Sequence, residues 1–336
     1  MTRDRRKPSR GLSPQPIMEM ASGFMRSRVL LTAHELGLFT LLGDAERTSQ
    51  EVAAALGTAP RPTDRLMNAL CGLKLLEKKD GRFRNTPAAA RFLVKESPGY
   101  LANLQHTAHL WHTWSTLTEV IRRGKSISGG HVEARGESWQ TAFIAAMNHF
   151  ARQRADAVVA EIGLAGVSRV LDVGGGSGAY AMAFVRAGEN IKATVFDLPD
   201  IIPLTRQYVE EAGLSDRIDF SEGDFNVNDL PTGFDLVFMS MVLHSNSFEQ
   251  CAALIRKGAA ALNPGGRLVV AEFLVNEDRS GPPHGTLFAL NMLVGTEAGD
   301  TYTESEIAGW MKAAGLSDFA HKETGFNASL IIGRKT

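Results

Sequence analysis

Residues 168–180 read SRVLDVGGGSGAY: a short apolar run, an aspartate, three alternating glycines, then small residues that can open a helix. Gly174, Gly176 and Gly178 let the chain turn sharply and bring backbone N–H groups close to a ligand, as in the first turn of a nucleotide-binding α/β fold. Taken alone, such a turn also admits a nicotinamide cofactor, with Ala179 as the last small residue of a GxGxxG/A fingerprint.

Outward from this stretch, ATVFDLPD (193–200), DRIDFSEGDF (216–225), FDLVFMS (234–240) and GRLVVAEFLV (266–275) are further strand candidates separated by helical stretches. That alternation predicts a doubly wound α/β sheet of parallel strands, in a domain running from about residue 161 to residue 336.

Residues 16–160 have a different grammar. Apolar positions recur at helical spacing from Ile17 to about Leu42, and Thr48 with Glu51 predicts a capped helix that Gly57 ends. A second helix and a Lys-Asp-Gly hairpin signal complete a winged-helix pattern by residue 86. Residues 46–85 hold eight Lys or Arg against five Asp or Glu; an excess of three is small, and the module is expected to pack against another subunit rather than grip nucleic acid. His106, His109 and His112 spread over about 120° of a helix, which suits polar tips at a pocket or interface better than a metal site.

The chain-wide balance agrees. With a net charge of −1 over 336 residues, gripping nucleic acid or an anionic membrane is not its main task. Its 2 cysteines lack CxxC spacing, so neither a disulfide framework nor a cysteine zinc site is indicated and a cytoplasmic setting fits. No run approaches a membrane span. Residues 1–15 are expected to form a disordered basic tail without the apolar core of a signal peptide.

Three acidic positions define the ligand. Asp172, two residues before the first glycine, would repel a pyrophosphate but attract a cationic amino-acid headgroup. Asp197, at the end of the next strand, can accept hydrogen bonds from both ribose hydroxyls. Asp224 can accept from an exocyclic amine, and Phe225 offers an apolar face to a purine. A nucleoside, a positive amino acid and no phosphate describe S-adenosylmethionine.

LDVGGGSG, FDLP, GDF, MSMVLH and NPGGRLVVAEF follow one another as they do in the small-molecule O-methyltransferases related to caffeate and acetylserotonin O-methyltransferases, and the chain resembles that family over nearly its whole length. The resemblance implies a class I methyltransferase Rossmann-like sheet behind a mostly α-helical winged-helix dimerisation domain, and a homodimer. It implies that Gly174, Gly176, Asp197, Asp224, Phe225 and Ser240 contact the cofactor. His244 would be the general base and Glu272 the acid that orients it. His109, Met147, Asn291 and Met292 would line the site of a small aromatic or polyketide-like acceptor between the domains. No acidic cluster calls for a metal.

The sequence departs from plant relatives in two places. Ser245 and Asn246 follow His244 where those have Asp and Trp, and Thr301, with Asp300 adjacent, replaces a second carboxylate. A strand-end histidine can also be buried packing, and a buried glutamate can pair with a helix end or a lysine. The competing functions are C-methyl transfer, with His244 taking a C–H or enol proton, and a ligand-sensing winged-helix transcription regulator.

Overall fold

The computed structural model describes residues 13–127 and 137–336. The expected tail therefore lies, up to residue 12, outside the described residues, and the first helix begins at Gln15.

The apolar stripe from Ile17 to Leu42 is three helices, α1 (Gln15–Ser22), α2 (Phe24–Glu35) and α3 (Leu38–Leu42), with left-handed Gly37 between the last two. After β1 (Arg47–Thr48), α4 (Ser49–Leu56) opens on a capping box between Thr48 and Glu51 and closes on left-handed Gly57. Next come α5 (Pro60–Gly72), β2 (Leu76–Lys79), β3 (Arg82–Asn85) and α6 (Pro87–Leu93). Asp80 and Gly81 both take positive φ, the two-residue turn whose twist matches its strands. β3 lies between β1 and β2 in a small sheet, and Phe39, Met67, Leu70 and Phe83 are buried beneath. This is the expected winged-helix module.

Compactness divides the chain between Ala108 and His109. The helices described between residues 109 and 162, most of which the sequence pattern groups with the helical half, fall in the same compact unit as the sheet. Helical periodicity reveals an apolar face without revealing what covers it. After α7 (Asn103–Trp114) come α8 (Leu117–Arg123), α9 (Glu137–Arg152) and α10 (Ala155–Ile162). Val158, Val159 and Ile162 of α10 join the core on one face of the main sheet.

That sheet is built from β4 (Arg169–Val173), α11 (Ala179–Ala187), β5 (Lys192–Asp197), α12 (Ile202–Glu211), β6 (Ile218–Glu222), β7 (Phe234–Ser240), α13 (Phe248–Ala261), β8 (Leu262–Glu272), α14 (Pro283–Gly295), α15 (Glu304–Ala313), β9 (Leu316–Glu323) and β10 (Ser329–Lys335). The strand order is β6-β5-β4-β7-β8-β10-β9. The first five strands pair in parallel, but β10 inserts antiparallel between β8 and β9, so the sheet is mixed. The sequence pattern missed β9 because LSDFAHKE is a mostly exposed edge strand with no apolar run.

Alternate residues of the central strands feed separate cores. Val170, Val195 and Phe238 face α10, α11 and α12, while Leu171, Phe196 and Met239 face α13 and α15. Burial on both faces explains the unbroken apolar runs. Connections leave β4 outward through β5 to β6, then return to β7 on its other side. The carboxyl ends of β4 and β7 are therefore the switch point at which such sheets bind ligands.

Candidate active site

At the end of β4, Gly174, Gly176 and Gly178 all hold positive φ (66°, 55° and 72°), a conformation that would strain other residues. Gly174 also allows a close approach: a Cβ there would lie 2.8 Å from Val242 Cγ2 and 3.7 Å from Phe225 Cε1. The turn is tied to its neighbours, Gly176 N–H donating to Asp197 Oδ2 (2.7 Å) and Thr205 Oγ1–H to the Gly176 carbonyl (2.5 Å).

Asp172 lies enclosed beneath the turn, 1% exposed, its Oδ2 accepting the Ala181 N–H of α11 at 3.1 Å. Burial pushes its carboxyl up to about 7, against the Ala181 hydrogen bond and with help from the charge of Asp197. Burial also raises Asp197, whose Oδ1 accepts Leu198 N–H at 2.8 Å. Two neighbouring carboxylates, Asp172 enclosed and Asp197 partly exposed, with no cation paired to them among the described residues, make this turn suited to a positive ligand and hostile to a pyrophosphate.

Asp224 and Phe225 sit on the loop after β6. Asp224 Oδ1 accepts Asn226 N–H (2.7 Å), while Lys257 of α13 clips the loop by donating to the carbonyls of Phe225 (2.9 Å) and Asn228 (2.7 Å). Ser240 ends β7, beside the turn that carries His244.

His244 sits in a 3-10 turn, Leu243–Ser245, directly after β7. Its Nδ1 lies 2.9 Å from Oε2 of Glu272, the last residue of β8. The carboxylate only accepts, so the hydrogen is on Nδ1 and the neutral ring presents an unprotonated Nε2. Glu272 Oε1 meanwhile accepts the Leu243 N–H at 2.8 Å. Asn246 Nδ2–H (2.8 Å) and Ser245 Oγ–H (3.0 Å) both donate to the Val242 carbonyl, and Tyr302 O–H donates to that of Asn246 (2.5 Å). Ser245 and Asn246 therefore brace the turn. Asp300 faces Arg279 (3.5 Å) and Thr301 Oγ1–H donates to the Gly285 carbonyl (3.3 Å), so neither supplies a second acid to the imidazole.

Of the expected acceptor residues, Asn291 and Met292 lie on α14 and Met147 on α9, three residues after Ile144, whose Cδ1 would be 3.8 Å from a Cβ at Gly176. His109, partly buried, is on α7. Phe288 of α14 stands edge-on to His244, ring centroids 4.9 Å apart. Phe288 belongs to the apolar stripe Leu287, Phe288, Leu290, Met292 and Leu293, which the sequence pattern marks as core or pocket wall. Val242 and Lys257 escaped sequence reasoning, since an apolar residue past a strand end or a helix lysine announces no partner.

An O-methyltransferase domain model matches residues 114–317, and an O-methyltransferase dimerisation domain model matches residues 18–95. The chain belongs to the O-methyltransferase family. It is 34% identical to the 3-hydroxy-5-methyl-1-naphthoate 3-O-methyltransferase of Streptomyces sahachiroi, over 91% of this chain and 90% of that protein. It is 33% identical to the tetracenomycin polyketide synthesis 8-O-methyl transferase TcmO of Streptomyces glaucescens, over 96% of this chain and 97% of that one. Among solved structures, human N-acetylserotonin methyltransferase in complex with SAM superposes with a TM-score of 0.85 at 30% identity, covering 98% and 99% of the two chains. The enzyme is an S-adenosylmethionine-dependent O-methyltransferase, and the acidic surroundings of its glycine turn suit a sulfonium cofactor.

A pH dependence follows from Asp172. Its folded pKa is raised to about 7 from 3.8, so its contribution to stability is fully present below about pH 4 and is lost as pH rises through 7. A cationic ligand favours the ionised form. Cofactor binding is therefore expected to tighten as pH rises from 6 to 8 and to release a proton, while Asp172→Asn flattens the profile. Calorimetry of S-adenosylmethionine in buffers of different ionisation enthalpy measures this; identical proton release by the variant would contradict it.

Proposed function

We propose that the enzyme transfers the S-adenosylmethionine methyl group to a hydroxyl of a small aromatic or polyketide-like acceptor, with His244 as general base. The observation that carries this reading is the 2.9 Å His244–Glu272 contact at the end of β7, which leaves Nε2 as the proton acceptor. The two Streptomyces relatives, named for a naphthoate and a polyketide acceptor, support the substrate class.

The cofactor supplies an electrophilic methyl on a sulfonium. A neutral phenol is a poor nucleophile toward it, and Nε2 takes the phenolic proton as the new bond forms. Glu272 holds the tautomer and stabilises the imidazolium. Phe288 stands edge-on to the imidazole and is itself backed by Phe273, 4.9 Å away edge to face. Asp197 would accept from the ribose, while Gly174, Phe225 and Ser240 would border the cofactor. The test is labelled-methyl transfer across phenols, hydroxyindoles and polyketides, with NMR of the product. Methyl groups on oxygen support the reading; methyl on carbon would replace it.

The enzyme would work as a homodimer. α1 and the start of α2 expose Ile17, Met18, Met20, Phe24 and Met25, with Met20 82% exposed. So many large apolar side chains on one segment call for a covering surface. The wing arginines are meanwhile engaged with acids, Arg82 with Glu51 and Arg84 with Glu46 and Glu77, which argues against a phosphate backbone as that partner. Light scattering is expected to show a dimer that Met20→Asp with Met25→Asp converts to monomer. A monomeric wild type would remove the idea. Among the described residues no helix is long and apolar enough to cross a membrane.

A further inference from the structure

Trp114, the last residue of α7, donates its indole N–H to Asn291 Oδ1 at 2.8 Å. Indole N–H is a donor only, so this contact settles which end of the amide is which. The oxygen of half-buried Asn291 is engaged by Trp114, which leaves the NH2 group as the end of the amide that can meet a ligand.

The position of Asn291 gives that orientation a consequence. Phe288, three residues earlier on α14, touches the His244 ring. Residues three apart share a helix face, about 4.5 Å along the axis. Asn291 is thus on the face that carries the wall of the base, one step further along, while Met292 beside it is buried. An amide held through its oxygen by a donor-only partner turns its NH2 donors away from that partner.

We propose that Trp114 is a positioning residue that locks the Asn291 amide with its NH2 toward the acceptor, selecting acceptors that carry a carbonyl-type oxygen, as ketone, ester or carboxylate, about one ring-width from the methylated hydroxyl. This rests on the O-methyl reading above and adds to it the polarity of the acceptor's second group. Without the indole N–H the amide can rotate and serve as donor or acceptor alike. The selectivity then disappears although the base and the methyl donor are untouched.

The test uses matched naphthols bearing acetyl, carboxylate or amino at one ring carbon, with labelled S-adenosylmethionine and the full-length enzyme. The wild type is expected to favour the acetyl and carboxylate compounds over the amino compound by tenfold or more in kcat/KM. The relative rates of the first two report which carbonyl-type oxygen is preferred. Trp114→Phe retains the ring and is expected to bring the ratio to within about threefold of unity, chiefly through KM. Asn291→Asp provides the second arm: Trp114 still binds one oxygen, the other becomes an acceptor, and the preference is expected to invert toward the amino compound. A wild-type ratio near unity, a Trp114→Phe enzyme with wild-type selectivity, or an Asn291→Asp enzyme without inversion would overturn the proposal while leaving O-methylation standing. Methylation of no naphthol at all, with transfer to carbon acceptors, would overturn both.

Discussion

His244→Ala is expected to lower kcat by ~10²–10⁴, the usual contribution of a positioned general base, with little change in the dissociation constant of S-adenosylhomocysteine. The ring touches Glu272 and Phe288, and its turn is braced through Ser245 and Asn246, so truncation should leave the cofactor side intact. Glu272→Gln is expected to do comparable damage by another route. The side-chain oxygen must still face the Leu243 N–H, which turns the new NH2 toward His244 Nδ1. The hydrogen of the imidazole then moves to Nε2, and the ring can no longer accept a proton from the acceptor. Single-turnover rates across pH 6–9 measure both variants. Near wild-type rates for His244→Ala on the true acceptor would mean that positioning alone drives the reaction.

Asp197→Ala is expected to weaken S-adenosylhomocysteine binding by ~10²-fold or more. Each hydrogen bond between a ribose hydroxyl and an ionised carboxylate contributes about 1.5–3 kcal/mol. Asp197 also holds Gly176 N–H at 2.7 Å and Leu198 N–H at 2.8 Å, so its loss frees the glycine turn from β5. Asp197→Asn separates the two effects. Its single oxygen satisfies one of these amides while its NH2 opposes the other, so binding should fall although the side-chain volume is kept. Calorimetry alongside thermal unfolding provides the readout: a dissociation constant for Asp197→Ala within threefold of wild type would show that the ribose is held elsewhere.

Much of the site was legible in the sequence because it follows from local constraints on backbone and charge. Gly174, Gly176 and Gly178 take the positive φ their spacing suggested, Thr48 and Glu51 form the expected capping box, and Asp80-Gly81 makes the hairpin turn. Asp172 and Asp197 stand at strand ends beside the same turn. These features need only short chain segments to be understood.

What the sequence by itself determined is therefore the alternation of strands and helices from β4 to β8, the glycine turn and the acidic residues beside it. Tertiary structure alone decided which side chains meet across large separations. The spacing of His244 and Glu272 does not say that their side chains lie 2.9 Å apart; that distance exists because β7 and β8 are parallel neighbours with Ser240 opposite Ala271. Helix α10 joins the sheet unit because its apolar face covers one side of the sheet, and apolar contact has no direction that a sequence could record. The Trp114–Asn291 bond is of the same kind. An indole N–H and an amide oxygen are common groups, and only the packing of α7 and α14 turns them into a hydrogen bond of fixed polarity.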